Sequence, residues 1–526
     1  MPKILIVGGG YAGFYTAWKL EKWLRSGEAE VTMVDPLPYM TYQPFLPEVA
    51  AASIEARHAV VAHRRHLKKT NILTAKVTNL NHAEKTATIT PPIGEPYEFK
   101  YDIVVVTAGA VSRTFPIPGV ADQAIGLKTI EEAVAIRDRV LTNFDKASQL
   151  PAGPERTRLL TFVVVGGGFA GIEVFAELRS FASSLLKNYP QITFEETHFH
   201  LIEAMGRIMP EVSLETSQWV IKNLDQRGAT IHLDTQLTSA LGGKIELSTG
   251  ESFETDLIVW TAGVMANPTI VRNTDLPIEE RGRLRVRADL RVGTEDDIVV
   301  DAWGAGDITA VPDLSGGGVG GNCVPNAQHA VRQGKLLAKN IVAVMRGEGP
   351  KDYFHKNMGA VAGLGVGVGV FQSGKFALKG FPAWVAHRGY HGLAMPSWER
   401  KFRVVGDWVG DLFLGRDIVS IAALETPRAV FEEFASRPKP PAAAAAPTAA
   451  VAAAPASAPK AEVAAPAKAP KAPRAPRKTA VKAAEPKVAE SKVAEPKAVA
   501  PKAESKAAAS KTAAANTSVA ETVAAK

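Results

Sequence analysis

Two short segments of the chain, residues 4–7 and 162–165, consist entirely of isoleucine, leucine, valine and phenylalanine. An unbroken apolar run of this length, rich in β-branched side chains, is typical of a parallel strand buried on both faces. Each run ends in three consecutive glycines and leads into a segment that we predict to be a helix. The pattern therefore predicts an α/β protein built on two strand–turn–helix units.

Both turns have the spacing G-x-G-x-x-G, formed by Gly8, Gly10, Gly13, Gly166, Gly168 and Gly171. The first glycine of each set permits a tight turn, the second lets a pyrophosphate approach the backbone, and the third lets the helix pack closely on its strand. The pyrophosphate then lies on unpaired N–H groups at the positive end of the helix dipole.

A second apolar strand follows each unit and ends in an acid, Asp35 in the first and Glu203 in the second. A carboxylate at this place can accept hydrogen bonds from the ribose hydroxyls of a dinucleotide. One such match is weak evidence, because glycine-rich turns also occur for packing alone, but two complete units predict two dinucleotide sites. Glu203 would repel the 2′-phosphate of NADPH, so NADH is the predicted nucleotide, although the nearby Arg207 weakens this preference.

Three later strands end in short glycine motifs. Two close on Thr-Ala-Gly, at Gly109 and Gly263, where a glycine lets the backbone approach a ligand closely. The third closes on Gly-Asp, and Asp307 is the carboxylate that a flavoprotein brings to the ribityl and pyrophosphate region of FAD. The order of the five motifs is that of flavin reductases, with FAD on the first fold and NAD(P)H on the second.

Three further stretches restrict this resemblance to one group of flavin reductases. They are residues 42–50, 259–264 and 327–334. On these motifs the chain resembles the type II NADH:quinone oxidoreductases, single-subunit respiratory enzymes that do not pump protons, over roughly residues 1–430. The resemblance implies a homodimeric flavoprotein that uses FAD and NADH and no metal. Its implied reaction is NADH oxidation and reduction of a membrane quinone, menaquinone or ubiquinone.

The resemblance also implies site residues. Gln328 matches the first glutamine of the family's A-Q-x-A-x-Q motif beside the flavin, and Arg332 stands where the second glutamine would be, which changes the expected quinone contact. Glu173 matches a glutamate that relays protons, although a carboxylate in a first helical turn is also simply a favourable dipole partner. The residues expected to bind the cofactors are Gly8, Gly10, Tyr11, Ala12, Gly13, Asp35, Val77, Ala108, Gly109, Gly166, Gly168, Gly171, Glu203, Gly263, Asp307 and Gln328.

The duplicated motifs predict a discontinuous FAD domain over 1–114 and 287–346, with an NAD(H) domain inserted at 115–286. A C-terminal domain with a membrane-interface helix is predicted over 347–438. Residues 439–526 consist mostly of alanine, lysine, proline and glutamate and contain no aromatic residue. Such a segment cannot bury enough apolar surface to offset chain entropy, so we predict a disordered tail.

Charge and cysteine content exclude some functions. The net charge is +7, but residues 437–526 contain 16 Lys and Arg against 6 Glu, so the preceding part is slightly acidic and no specific nucleic-acid partner is expected. Cys323 is the single cysteine. A redox disulfide within one chain is therefore excluded, and with it the chemistry of flavin disulfide reductases and sulfide:quinone oxidoreductases.

Membrane contact is expected, because quinones reside in lipid. The sequence has no run of about 18 apolar residues, so no spanning helix is predicted, and residues 358–371 are interpreted as a strand. Residues 397–414 are predicted to form an amphipathic helix that lies in the interface on the cytoplasmic face of the cell membrane. Its predicted apolar stripe is Trp398, Phe402, Val405, Val409 and Leu412.

Packing of this helix on the protein core is the simpler alternative for its apolar stripe. Two alternatives also remain for function. One is a soluble NAD(P)H-dependent reductase of a small redox protein such as ferredoxin or rubredoxin. The other is a non-catalytic FAD-binding protein that resembles apoptosis-inducing factor.

Overall fold

Two parallel sheets carry the fold in a computed structural model that describes residues 1–316, 318–355 and 359–435. The first sheet has six strands, in the spatial order Arg291–Gly293, Ile298–Gly304, Ile103–Val106, Lys3–Val7, Glu30–Asp35 and Asn71–Thr74. Neighbouring strands run parallel, except for the antiparallel pair at the Arg291–Gly293 edge. The chain turns to opposite sides of Lys3–Val7, which places a ligand-binding crevice at the carboxyl end of that strand.

The second sheet repeats this plan with five parallel strands. Their spatial order is Ala124–Gly126, Leu257–Trp260, Thr161–Val165, His198–Ile202 and Ala229–His232. The predicted fold class, α/β with two Rossmann-like units, is confirmed. The predicted domain boundaries stay a prediction, and the predicted tail over 439–526 lies outside the described residues.

Smaller sheets connect and flank these two. The three-stranded ones are Lys76–Asn81 with Thr86–Thr90 and Tyr97–Lys100, Leu237–Ser239 with Lys244–Leu247 and Ser252–Glu254, and Ala360–Gly363 with Gly369–Ser373 and Phe376–Lys379. The paired strands are Ala110–Ser112 with Val264–Ala266, Tyr39–Thr41 with Val60–Ala62, and Leu284–Arg285 with Thr309–Ala310.

The prediction of one strand over 358–371 is wrong in its described part. Ala360–Gly363 and Gly369–Ser373 form an antiparallel pair. The chain reverses between them because Gly365 and Gly367 take positive φ values of +88° and +75°, which side chains disfavour.

The α-helices of the described chain cover the two parallel sheets and form its C-terminal part. They are Tyr11–Trp23, Leu46–Ala50, His63–His66, Val120–Gln123, Ile130–Ser148, Pro154–Leu159, Phe169–Leu185, Leu214–Asp225, Pro268–Val271, Ala327–Met345, Phe381–Ala394, Trp398–Leu414 and Ala429–Phe434. The two longest are Ile130–Ser148 and Ala327–Met345, and the second of these packs on Tyr11–Trp23 beside the first glycine-rich turn.

Candidate functional site

The first glycine-rich turn leads into the helix Tyr11–Trp23. Gly8 has φ +98°, and a Cβ there would lie 2.6 Å from the carbonyl oxygen of Thr107. A Cβ on Gly13 would lie 1.8 Å from the carbonyl oxygen of Gly8, so only a hydrogen atom fits. The hydroxyl of Thr107 donates to the same Gly8 oxygen at 2.9 Å. The third glycine and this threonine therefore fix the turn from two sides.

The side chain of Asp35, at the end of the strand Glu30–Asp35, contacts this glycine-rich turn. Its carboxylate accepts hydrogen bonds from the backbone N–H groups of Gly9 at 2.6 Å and Leu37 at 2.7 Å. Burial raises the pKa of Asp35 above its usual value, although both N–H groups act in the opposite direction. The acid thus holds the turn in shape at the place where a ribose hydroxyl would bind.

A cavity opens at the turn, and most residues predicted to bind the first dinucleotide line it. These are Gly8, Gly10, Tyr11, Ala12, Asp35, Ala108, Gly109 and Asp307. The lining residues that the sequence analysis did not assign to the cofactor include the polar residues Gln43, Lys128 and Thr129, of which Gln43 lies in the motif at 42–50. Val77 does not line the cavity, since its side chain is buried in the core.

The polar groups of this cavity fit FAD. The hydroxyl of Tyr11 is buried and has no hydrogen-bond partner in the described part of the chain. Gly10 leaves its Cβ position open, with no atom within 4 Å. Burial raises the pKa of Asp307, while the ammonium group of Lys128 opposes this shift. An unpaired hydroxyl, an open backbone and a carboxylate at one cavity are groups that a dinucleotide with hydroxyls and phosphates can satisfy.

The helix Ala327–Met345 begins at this cavity. Asn326 is the N-cap of this helix, and its side-chain oxygen accepts a hydrogen bond from the N–H of His329 at 2.8 Å. A cap of this type contributes about 1 kcal/mol to helix stability. Ala327 and Ala330 line the cavity, so the positive end of the helix dipole lies at the cofactor site.

The same helix covers the glycine-rich turn. A Cβ on Gly334 would lie 2.4 Å from the carbonyl oxygen of Ala12, so the two helices touch backbone to backbone. The hydroxyl of Thr16 donates to the carbonyl oxygens of Ala12 and Gly334, at 2.7 and 3.1 Å. The side-chain oxygen of Gln333 accepts from the N–H of Gly306 at 2.8 Å. This packing buries Tyr11 and Ala12.

The two residues predicted to contact quinone lie together on this helix, with Gln328 in its first turn and Arg332 one turn further along. The guanidinium of Arg332 donates to the backbone carbonyl oxygen of Gln328 at 3.0 Å and lies 3.4 Å from its side-chain oxygen. Both side chains are half-buried, and neither lines the cavity at the first turn. Their role at the quinone stays a prediction.

The second glycine-rich turn has almost the same backbone geometry. Gly166 has φ +111°, and a Cβ on Gly171 would lie 1.9 Å from its carbonyl oxygen. The hydroxyl of Thr261 donates to that oxygen at 3.2 Å. The carboxylate of Glu203 accepts from the N–H of Gly167 at 2.5 Å, as Asp35 does in the first unit. The third glycine, the threonine and the acid thus have the same roles in both turns.

The second turn differs in its exposure and suits a nucleotide that enters from solvent. Ala170 and Gly263 are exposed and Phe169 is half-buried, whereas their counterparts Ala12 and Tyr11 are buried and Gly109 is half-buried. Arg207, the residue that weakened the prediction of NADH, donates to the backbone carbonyl oxygen of Val212 at 2.6 Å. Its guanidinium is therefore engaged, which leaves Glu203 as the acid at the second ribose position.

Glu173 lies beside buried titratable side chains that the sequence analysis did not find. Its carboxylate oxygen lies 3.2 Å from Nε2 of His387 and accepts from the N–H of Gly363 at 3.1 Å. The other ring nitrogen of His387 lies 3.9 Å from a carboxylate oxygen of Glu48. Each of these side chains comes from a different part of the sequence, so only the fold brings them together.

Neighbouring buried charges are paired. Nε1 of Trp408 donates to Glu48 at 2.7 Å. The guanidinium of Arg416 lies 2.9 Å from the carboxylate of Glu177 and also donates to the carbonyl oxygen of Ala51 at 2.9 Å. These contacts attach the helix Trp398–Leu414 and the chain that follows it to the interior of the protein.

Cys323 is buried, and burial raises the pKa of its thiol to about 11. Its sulfur lies 3.8 Å from the carbonyl oxygen of Pro312. A protonated, enclosed thiol of this kind is a poor nucleophile, which agrees with a space-filling role.

The helix Trp398–Leu414 begins one residue after its predicted start and shows its apolar stripe to the outside. The exposed fractions of the stripe are 71% for Trp398, 72% for Phe402, 45% for Val405, 48% for Val409 and 63% for Leu412. Phe413 and Leu414 extend the stripe and are more than four-fifths exposed. The alternative that this stripe packs on the core is therefore wrong.

The opposite face of this helix attaches it to the protein. Asp407 lies 2.7 Å from Nδ1 of His58, and Glu399 lies 3.2 Å from the guanidinium of Arg65. Val404 is fully buried beside them. A sequence pattern defines two faces of a helix, but the partners on other segments decide which face turns inward. Within the described residues, the helices are all too short or too polar to cross a membrane.

Known proteins resemble this chain in sequence and in fold. A family model described as pyridine nucleotide-disulphide oxidoreductase matches residues 2–334. A probable NADH dehydrogenase of Dictyostelium discoideum is 29% identical over 427 residues, which cover 80% of this chain and 91% of the relative. The type II NADH:quinone oxidoreductase Ndh of Mycobacterium tuberculosis is 25% identical, with coverage of 77% and 87%. The predicted resemblance to this enzyme group is confirmed by these names.

A solved structure supports the fold. NDH2 from Plasmodium falciparum, in complex with NADH, matches with a TM-score of 0.72 at 19% sequence identity. The match covers 80% of this chain and 99% of that protein.

Proposed function

This chain belongs to the pyridine nucleotide-disulphide oxidoreductase family, and we propose that it oxidises NADH through bound FAD and reduces a membrane quinone. The pair of equivalent glycine-rich turns, each with an acid from the next strand, carries the proposal. Relatives named as NADH dehydrogenase and type II NADH:quinone oxidoreductase support the donor and the acceptor.

FAD is assigned to the first turn and NADH to the second. When bound, FAD accepts a hydride from NADH and passes two electrons to the acceptor. The open backbone at Gly10 and the dipole of its helix would hold the pyrophosphate, and Asp307 would accept from ribityl hydroxyls. Gly168 and Glu203 have the corresponding roles for NADH, and the carboxylate disfavours a 2′-phosphate.

For the acceptor, Gln328 and Arg332 are proposed to donate hydrogen bonds to quinone oxygens, and Glu173 is proposed to take part in proton transfer. Cys323 is the single cysteine of the sequence, so transfer through a disulfide within the chain is excluded. The exposed apolar stripe favours a lipid-dissolved acceptor over a small redox protein.

The same stripe supports membrane attachment. We place the helix Trp398–Leu414 in the interface of the membrane, with its apolar face at the headgroup boundary. Lys401, whose ammonium group lies 4.7 Å from the ring of Trp398, would reach lipid phosphates. We place the enzyme on the cytoplasmic face, where NADH is available, and propose a homodimer from the resemblance.

An acceptor assay tests the catalytic proposal. The purified protein is mixed with NADH and a menaquinone analogue, a ubiquinone analogue or oxygen, and NADH oxidation is followed by absorbance. We expect a bound flavin spectrum and faster turnover with a quinone than with oxygen. A colourless protein, or turnover with oxygen alone, contradicts the proposal.

Vesicle co-sedimentation tests the attachment. A double variant with Phe402→Asp and Val409→Asp should stay in the supernatant yet still reduce ferricyanide, because both substitutions lie on the exposed stripe. A chain truncated after Lys439 is the matched control and should still pellet. If the truncated chain is released and the double variant pellets, the segment after Lys439 is the anchor and the assignment to this helix is wrong.

A further inference from the structure

Two histidines and one glutamate come together beside the second parallel sheet, and none of them is assigned to a cofactor or to the acceptor. His200 and His232 belong to neighbouring parallel strands, and the register of these strands places both side chains on one face of the sheet. Glu251 lies in the turn of the antiparallel hairpin at 244–254. Among the described residues, this is the one group of three such side chains whose ligand atoms all lie within 4.8 Å of one another.

The distances within this group are close to those of a metal site. Nδ1 of His200 lies 3.0 Å from Nε2 of His232. A tetrahedral zinc ion with bonds of about 2.0–2.1 Å to nitrogen holds its ligand atoms about 3.3 Å apart. A carboxylate oxygen of Glu251 lies 3.7 Å from Nδ1 of His232, which is too long for a hydrogen bond. A small movement of this carboxylate is therefore enough to complete a shared coordination sphere.

Packing holds the two imidazole rings in place. The ring of His200 stacks on that of Phe253 with centroids 4.1 Å apart, and it stacks on the ring of His232 at 5.3 Å. Both histidines are half-buried, whereas the side chain of Glu251 is 50% exposed. The nitrogen ligands are thus fixed in advance, and a cation has an entry path from solvent on the side of the carboxylate.

We propose that His200, His232 and Glu251 form a binding site for Zn²⁺, with a water molecule as the fourth ligand. Two imidazole nitrogens and one carboxylate oxygen are typical zinc ligands, whereas Mg²⁺ and Ca²⁺ prefer sites built from oxygen alone. Zn²⁺ does not change its oxidation state, so the site takes no part in electron transfer. The inference does not depend on the proposed function.

The site adjoins the place assigned to NADH. The backbone carbonyl oxygen of His232 accepts a hydrogen bond from the N–H of Glu203 at 2.9 Å. His200 lies three residues before Glu203, on the strand that leads to this acid. A bound ion would link both strands to the hairpin at 244–254 and so stabilise the end of the sheet that carries Glu203.

The contact between the two rings has a simpler explanation, which is a hydrogen bond between neutral imidazoles. That explanation accounts for the distance of 3.0 Å without a metal, but it gives no role to Glu251. The two explanations therefore differ in the effect of the carboxylate. A zinc site needs it as a ligand, whereas a hydrogen bond between the rings does not.

Titration with metal ions tests the site. The full chain with bound flavin, prepared without a histidine tag and dialysed against a chelator, is titrated with Zn²⁺ in a calorimeter. We expect one tightly bound Zn²⁺ per chain, no binding of Mg²⁺, and a melting temperature that rises with Zn²⁺ concentration, since a ligand of the folded state stabilises it. Co²⁺ in place of zinc should add the absorption of a four-coordinate ion, at wavelengths longer than those that oxidised flavin absorbs.

Three variants identify the ligands. His200→Gln and Glu251→Gln should each weaken Zn²⁺ binding at least about tenfold, the lower limit for loss of even an outer partner of a metal. His198→Gln is the matched control, because it removes a histidine from the same face of the same strand outside the group, and it should bind Zn²⁺ as wild type does. Since Glu251 is half exposed in a turn, Glu251→Gln should keep its flavin and its metal-free melting temperature even if His200→Gln is unstable.

Two results would overturn the assignment. Zn²⁺ binding no tighter than that of Mg²⁺, or equal Zn²⁺ affinity in Glu251→Gln and wild type, would leave the hydrogen bond between the rings as the explanation of the group. An equal loss of affinity in His198→Gln would show that other side chains hold the ion. These measurements do not involve turnover, so their failure is distinct from a failure of the proposed function.

Discussion

The two glycine-rich turns have nearly the same backbone but different surroundings. At both, a Cβ on the third glycine would lie within 2 Å of a carbonyl oxygen, and an acid accepts from the middle N–H group. The first turn is covered by the helix Ala327–Met345, and Tyr11 and Ala12 are buried. At the second turn the corresponding residues, Phe169 and Ala170, are half-buried and exposed.

This difference separates a resident cofactor from a substrate that comes and goes. The motif supplies an anion site in both cases, since it provides N–H groups and a helix dipole. How long a dinucleotide stays bound depends on which parts of the protein cover the site. Substitutions within the turns should therefore change the free energy of unfolding equally at both sites. Substitutions that face the ligand should instead change flavin content at the first turn and NADH binding at the second.

The largest effect is expected from Gly13→Ala and Gly171→Ala, which should lower the stability of the fold. The added methyl group would meet backbone oxygens at 1.8 and 1.9 Å, and backbone cannot move aside as a side chain can. Each substitution should lower the free energy of unfolding by about 3 kcal/mol, the upper range for overpacking. Urea unfolding of the apoproteins measures this. Unequal losses would show that the two turns are not equivalent.

Gly10→Ala and Gly168→Ala should separate the two sites. Their φ values of −66° and −69° suit alanine, and the Cβ position is open at both. Stability should therefore change by less than about 0.5 kcal/mol. Gly10→Ala should abolish most flavin content, measured by absorbance. Gly168→Ala should keep the flavin and raise the KM for NADH about tenfold, which is about 1.4 kcal/mol. Loss of flavin from Gly168→Ala would contradict the assignment.

The smallest effect is expected on the preference for NADH over NADPH, when the acids Glu203 and Asp35 are replaced. Glu203→Ala should reduce the preference for NADH over NADPH, measured as a ratio of kcat/KM values, by a few fold. Removal of the carboxylate also leaves the N–H of Gly167 without this acceptor, so affinity for both nucleotides should fall. Asp35→Ala is the matched control and should lower flavin content without a change in this ratio. A changed ratio in the control would mean that the sites are interchanged.

The sequence predicts the turns well because they are local. Gly8, Gly13 and the strand before them lie within eleven residues, and their chemistry follows from spacing alone. The helix at 397–414 was also predicted to within one residue. Its orientation depends on His58 and Arg65, however, and no pattern within the helix reveals those partners.

The buried cluster around Glu173 marks where sequence reasoning ends. Glu48 lies in the motif at 42–50, and His387 and His391 lie one turn apart on a distant helix, but neither pattern shows that these residues meet where three helices pack together. A histidine in a helix has no sequence signal of its own that shows it will meet a buried carboxylate. Lys128 and Thr129 likewise line the cavity, and although Thr129 forms a recognisable capping box with Glu132, that motif predicts the start of a helix and not a contact with a ligand.

Gly13 and Gly171 also affect how this sequence can be aligned with its relatives. A position where only a hydrogen atom fits is closed to every other residue, whatever the rest of the chain does. Relatives that share a quarter of their residues are hard to align residue by residue, because many alternative alignments have similar scores. These two glycines provide fixed points for that task, spaced by the geometry of a strand and its helix. They divide the chain into two segments that can be matched with relatives, and with each other, independently.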